Sequence, residues 1–288
     1  MDPASFLIQL LNGLQYGLLL FLVASGLTLI FGIMGIINLA HGSFYMLGAY
    51  LAWSLAGKMG SLTAAILLGI VLTVMLGMAL ERLLISRMYQ RDHLYQVLLT
   101  YGLILVFEEM RAILWGDDVY GVKVPDLLNY SIPLTENLSY PIYRLGISAV
   151  CLLLAAGLYL LIKHTRLGMM IRAGASNREM AQSLGINIRL IYMLIFALGT
   201  ALAAFAGMIN SPVSSVYPNM GAPVLIICFV VVVIGGIGSV KGAMAASIFL
   251  GMADTFGQVL APEIAGMIVY LVMAIVLVWR PEGLFKRV

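Results

Sequence analysis

Few side chains in this sequence can move a proton, hold an ion or attack a carbonyl, and those few stand in apolar surroundings. His41 has Asn38 three residues before it and Gly42 directly after it. A histidine at membrane depth is costly unless it is partnered, and nearby Gly35 and Gly42 suggest a broken helix that lines a polar path. His41 could then be a ligand, a proton relay or an interfacial donor. It could equally satisfy backbone groups that the break sets free, and Asn38 carries the same two readings. Ser25 and Ser43 could serve as nucleophiles beside it, but no Gly-x-Ser-x-Gly or His-Glu-x-x-His pattern supports hydrolysis. Asp254, with Thr255 and Gln258 close by, is a second polar site in an apolar run, and an intramembrane acid is a functional candidate by default. No basic partner shares its segment, so a proton-relay role is not assigned to it. Cys151 and Cys228 each lie in an apolar run without metal or disulfide spacing, and read as small core residues. Gly235-Gly-Ile-Gly-Ser-Val-Lys-Gly242 is glycine-rich but lacks Gly-x-x-x-x-Gly-Lys-Ser/Thr. It reads as a tight turn or close helix contact through Gly235, Gly236, Gly238 and Gly242, with Gly35 as a further hinge. With no phosphate-binding loop anywhere in the chain, ATP-driven work would need another polypeptide.

The elements that hold these residues follow from composition. Of 288 residues, 62% are hydrophobic and 10% charged, against about 25% charged in a soluble domain. Such a chain cannot cover a water-facing surface, so its solvent is lipid. A spanning helix needs about 20 apolar residues. The segments are roughly 7–33, 42–56, 61–85, 94–115, 144–162, 191–209, 222–235 and 241–279, the last divisible at Pro262. The expected fold is an all-α polytopic membrane protein of about eight transmembrane helices with glycine-broken segments, as one domain over 1–288. Whether 34–56 spans or re-enters stays open. The N-terminus, Met-Asp-Pro, lacks a basic region and a cleavage site, so the first helix is expected to be retained. No basic stripe with stacking aromatics is present, which excludes nucleic-acid binding.

Lys and Arg in short loops set orientation. Loop 163–189 carries Lys163, Arg166, Arg172, Arg178 and Arg189 against Glu179; segment 82–91 carries Arg82, Arg87 and Arg91; the tail carries Arg280, Lys286 and Arg287. All three are expected in the cytoplasm. Segment 116–143 carries Asp117, Asp118, Asp126 and Glu136 against Lys123, with Pro125, Pro133 and Pro141, and is expected outside with loop 210–221. Glu108, Glu109 and Arg111 read as an interfacial ion pair. Gly199, Ala203 and Gly207, four apart, read as a helix-packing stripe. Gly35 and Gly42 recur 200 residues later as Gly235 and Gly242, a trace of an internal repeat.

Within 172–187, Ser176 and Glu179 have the spacing of a capping box, and Gly185 is placed to end a helix of about eight residues. Met180 and Leu184 share one face, Arg178 and Gln182 another. A short capped helix in a basic loop either closes that loop or docks into a groove on a soluble partner. Glu179-Met-Ala181-Gln-Ser-Leu-Gly185 resembles the Glu-Ala-Ala-x-x-x-Gly loop of bacterial ATP-binding-cassette importer permeases, with Met180 where the pattern has Ala. Asn38-Leu-Ala-His41-Gly42, Gly26-Leu-Thr-Leu-Ile-Phe-Gly32 and the 235–242 glycine run resemble the branched-chain amino acid permeases, and the likeness covers essentially the whole chain.

That resemblance implies the importer permease fold, with a cytoplasmic loop 163–190 whose coupling helix (Arg172, Ser176, Arg178, Glu179, Met180, Ala181, Leu184, Gly185) contacts an ATPase. It implies a bacterial inner-membrane subunit working by alternating access, without enzymatic activity or a bound cofactor. The expected partners are a second homologous permease, two ATPase subunits holding ATP and magnesium, a periplasmic binding protein and the bilayer. Asn38, His41, Gly42 and Asp254 are candidates for the path. Branched-chain amino acids are the expected substrates, with urea, short amides and aromatic acids as alternatives. The reading from another class is an ion-coupled secondary transporter, which requires paired intramembrane charges.

Overall fold

The computed structural model describes residues 3–135, 138–280 and Gly283. The N-terminal Met-Asp pair, Glu136, Lys286 and Arg287 therefore lie outside the described residues. The long apolar runs all form helices: α1 (Pro3–Leu29, prolonged by a π-helical turn Ile30–Met34), α2 (His41–Met59), α3 (Leu62–Leu83), α4 (His93–Trp115), α5 (Ile142–His164), α6 (Arg166–Ser176), α7 (Arg178–Ser183), α8 (Ile188–Asn210), α9 (Gly221–Gly235), α10 (Val240–Leu260) and α11 (Ala265–Trp279). Six stretches are long and apolar enough to cross a bilayer: α1 with its π turn, α3 with the turn after it, α5, α8, α10, and Pro262–Trp279, in which a 3-10 turn leads into α11. α9, at 15 residues, is a shorter apolar helix, and α2 and α4 are less apolar. The last apolar run divides at Pro262 into α10 and α11. One feature departs from an all-helical loop. Ser131–Thr135 (β1) and Leu138–Pro141 (β2) pair antiparallel, Ile132 opposite Tyr140, with a bulge between Pro133 and Thr135.

The two ends sort as the charge pattern requires. At one, the Asn12 side-chain carbonyl accepts from Tyr140 (3.2 Å) and Arg144 (2.7 Å), tying the start of α1 to the hairpin. Tyr120 and Val216 exchange two 2.8 Å backbone bonds, so segments 116–143 and 210–221 meet there. Trp53 of α2 stacks on Tyr120 at 3.8 Å. At the other, basic end, Arg82 and Arg87 share a cleft with Arg178 and Arg189. Arg111 is buried near the hairpin end, bonded to Asp117 and the Gly116 carbonyl at 2.6 Å and to Glu108 at 3.5 Å. Glu109, the other acid expected beside it, takes no part in either ion pair.

α1 and α8 form the centre. Residues 18–24 of α1 are almost fully buried because α5, α8, α9 and α10 surround them. Exposed apolar faces on α3, α4, α5 and α11 (Leu67, Leu98, Leu153, Ile275) are the surfaces a bilayer would cover. Little separates apolar side chains from apolar lipid, so close backbone approach drives the packing. A Cβ on Gly26 would stand 2.6 Å from the Gly199 carbonyl, and one on Gly207 would overlap the Tyr45 carbonyl. The 199–203–207 stripe is thus a packing seam. Gly235 and Gly242 face each other across α9 and α10, whereas Gly35 is left-handed (φ 67°) with open space at its Cβ position. The two glycine pairs do different work. Gly236 and Gly238 turn the chain between α9 and α10 with φ of 91° and 79°.

Candidate functional site

Two regions collect the polar residues. The first is the elbow at the basic end. Thr165 caps α6 by accepting from the Gly168 amide at 3.0 Å. α6 was not separated from the loop in the sequence, because its two glycines argue against a helix. Both are contact points: a Cβ on Gly168 would overlap the end of α5, and one on Gly174 would press on Ile188. Ser176 is the last residue of α6, so the expected capping box does not form. Asn177 takes that place, accepting from the Met180 amide at 2.9 Å. α7 is six residues, not eight. It ends as a Schellman motif, with the Gly185 amide on the Gln182 carbonyl (2.9 Å), the Ile186 amide on Ala181 (3.1 Å), and Gly185 at φ 82°.

A helix this short does not stand by itself, and three contacts hold it. Ala181 is buried. The Arg178 guanidinium lies 5.4 Å from the Tyr192 ring centre and 5.8 Å from that of Tyr89. The two rings meet edge to face at 5.0 Å, and the Tyr89 hydroxyl donates to the buried Glu81 carboxylate. Arg178 thereby joins α7 to both the α3–α4 corner and α8. Glu81, Arg82, Arg87 and Arg189 line a cleft of about 660 Å3 beside it. The other face of α7 is bare: Met180 is 60% and Leu184 74% exposed. Glu179 sits in the first turn, where an acid favours the helix dipole. Arg172 is elsewhere, donating to the Ile162 carbonyl across the α5–α6 corner.

The second region is the break after α1. The chain reverses at Gly35, and α2 starts at the level of Val23, whose carbonyl accepts from His41 Nε2 at 2.9 Å. Segment 34–56 therefore runs from the basic end back to the hairpin end, non-helical as far as Ala40 and helical from His41 onward. Val23 offers only a lone pair, so Nε2 carries the proton and Nδ1 has no partner. Both side-chain atoms of Asn38 and the Thr28 hydroxyl are also buried without partners. Unmade bonds of this kind cost about 1–3 kcal/mol each. The non-helical backbone before α2 is held by two residues of α4 that the sequence did not single out. Gln96 accepts from the Ile37 amide and Thr100 donates to the Ile37 carbonyl, each at 3.4 Å. Their signal was polar residues at i, i+4 in an apolar helix. Gly42 touches Gly221 backbone to backbone, so the N-termini of α2 and α9 meet at mid-depth.

Asp254 joins neither region. It accepts from Gln258 at 2.8 Å, near the start of α1, where Gly13 faces Met252. Val23 lies roughly 15 Å further along that helix at 1.5 Å per residue, so Asp254 and His41 are not brought together. Both cysteines are buried and free.

Comparison with known proteins agrees with this architecture. A profile of the permease component of branched-chain amino acid transport systems matches residues 9–277. The Pseudomonas aeruginosa protein named high-affinity branched-chain amino acid transport system permease protein BraD is 32% identical, covering 98% of this chain and 96% of its own. The Escherichia coli counterpart named LivH is 30% identical with the same coverage. The Escherichia coli ribose import permease protein RbsC is 26% identical over 88% of this chain and 79% of its own. No solved structure matches.

Proposed function

The chain belongs to the permease-component family of branched-chain amino acid transport systems, and from that premise we propose that it is a transmembrane subunit of an ATP-driven importer whose ATPase partners dock on α7. The observation that carries the docking is the helix itself. It is capped at both ends, tied down by Arg178, and turns Met180 and Leu184 outward, which is how a short helix enters a groove on a partner. The basic end faces the cytoplasm by the Lys and Arg rule. In this reading the chain pairs with a second homologous permease. Two ATPase subunits hold ATP and magnesium, a periplasmic protein delivers substrate, and this chain carries out no hydrolysis. Closure of the ATPases moves α7. Arg178, stacked on Tyr89 and Tyr192, passes the displacement to the α3–α4 corner and α8.

The path runs by Asn38, His41 and Gly42. There the positive ends of the α2 and α9 dipoles meet unpartnered polar atoms, a setting suited to an amino-acid carboxylate. Branched-chain amino acids are the substrates the relatives' names favour. An ion-coupled carrier would need paired charges within the membrane. Asp254 has Gln258 as its partner, and the two ion pairs among the described residues belong to Arg111 near the hairpin end.

The test is a gentle detergent pull-down of the tagged chain with substrate-stimulated ATPase activity, on wild type and Glu179→Arg. ATPase subunits should co-purify with wild type, and the substitution should release them or uncouple hydrolysis. A chain that purifies alone and transports in liposomes without ATP would overturn the proposal.

A further inference from the structure

At the basic end a second cleft, of about 410 Å3, opens beside the π-helical turn of α1. Its floor is apolar, from Leu29, Ile33, Ile162 and Ile171, and Arg172 and Ser176 of α6 stand on its rim. Lys163 and Lys241 do not line it but directly follow, in the sequence, the lining residues Ile162 and Val240. These two lysines come from different helices, α5 and α10, and approach one aromatic ring. Their ammonium groups lie 5.3 Å and 5.9 Å from the Tyr159 ring centre, and Lys163 donates to the Tyr159 hydroxyl at 2.9 Å.

A shared ring does not neutralise two cations. Among the described residues no carboxylate forms an ion pair with Lys163, Arg172 or Lys241, since both ion pairs belong to Arg111. All three cations are exposed. The arrangement asks for an anion, and the floor says what kind. A free anion has no use for four aliphatic side chains, whereas a phospholipid brings a phosphate and an acyl chain together. Leu160, two residues before the lining Ile162, and Ile237, directly before the lining Gly238, are exposed apolar side chains.

We propose that this cleft seats an anionic phospholipid of the inner leaflet. Its phosphate lies against Lys163 and Lys241 with Arg172 at the rim, and the upper part of one acyl chain lies over Ile33, Ile162 and Ile171. The assignment rests on the chain being a membrane protein with its basic end in the cytoplasm, and not on the docking role of α7. Basic pockets between membrane helices on that side are suited to such headgroups. The lipid would join the turn after α1, the elbow helix α6 and the α9–α10 turn.

The test uses the full chain in nanodiscs of phosphatidylglycerol and phosphatidylcholine, with retained lipid counted by native mass spectrometry after extraction. Wild type should retain phosphatidylglycerol selectively. Lys163→Gln with Lys241→Gln should lower that selectivity about thirtyfold, roughly fivefold per cation, and the double arginine variant should keep it. Ile33→Trp, which fills the cleft without changing charge, should reduce retention as well. Equal retention of the two lipids by wild type, or unchanged selectivity in the glutamine pair, would overturn the site. Displacement of the lipid by inorganic phosphate at matched concentration would overturn the lipid assignment in favour of a free anion. If the glutamine pair does not fold, the wild-type comparison decides alone.

Discussion

Asn177 holds the first turn of α7 through a single hydrogen bond, to the Met180 amide. Removing an N-cap side chain costs about 1 kcal/mol. Asn177→Ala should therefore speed hydrogen exchange at the Met180 amide by about fivefold and weaken ATPase coupling, while Ser176→Ala leaves both unchanged. An equal response from the two would put the cap back at Ser176. Both residues are good N-cap formers, and they are adjacent. The choice between them depends on where α6 ends, and α6 is fixed by Gly168 and Gly174 meeting other backbone and side chains. No local pattern carries that information. His41 is a similar case. Its type and its glycine neighbours were legible as a break, but its bond to Val23 joins residues 18 positions apart.

Among elements, the crossing of α2 and α9 depends most on a single contact. Gly42 and Gly221 meet where neither can carry a Cβ without displacing the other's carbonyl. Overpacking costs typically about 1–3 kcal/mol. Gly221→Val should lower the thermal midpoint and the transport rate together, because it separates two helix starts at the proposed path. Gly157→Ala in α5 meets no atom within 4 Å and should be neutral or stabilising, by up to about 1 kcal/mol. If both substitutions behaved alike, the close crossing would not be what holds these helices. The positions of α3, α5, α8, α10 and α11 were readable from apolar length, because each must cross the same thickness of lipid. α6 and the β1–β2 hairpin were not, since both lie outside the bilayer and take their shape from what they pack on.

For the whole molecule, sidedness is the property to measure. Cys151 and Cys228 are fully buried, so a single introduced cysteine reports without background. Leu127→Cys near the hairpin end should react with an impermeant maleimide in sealed right-side-out vesicles. Leu184→Cys on α7 should react only after permeabilisation. Both native leucines are highly exposed, at 87% and 74%. Labelling of both from one side would contradict the charge rule and the docking proposal together. By itself the sequence determined that the chain lives in lipid, which loops share an end, roughly where the short helix α7 falls and which family it resembles. Those features follow from how each residue or short motif meets water, lipid and membrane charge, and that depends little on the rest of the fold. Only the tertiary structure decided that α2 starts at mid-depth, that Gln96 and Thr100 hold the turn before it, that Asn177 caps α7, and that Lys163 and Lys241 share one ring. Each of these depends on which backbone or side chain arrives opposite from a distant part of the chain, and spacing along the sequence does not encode that meeting.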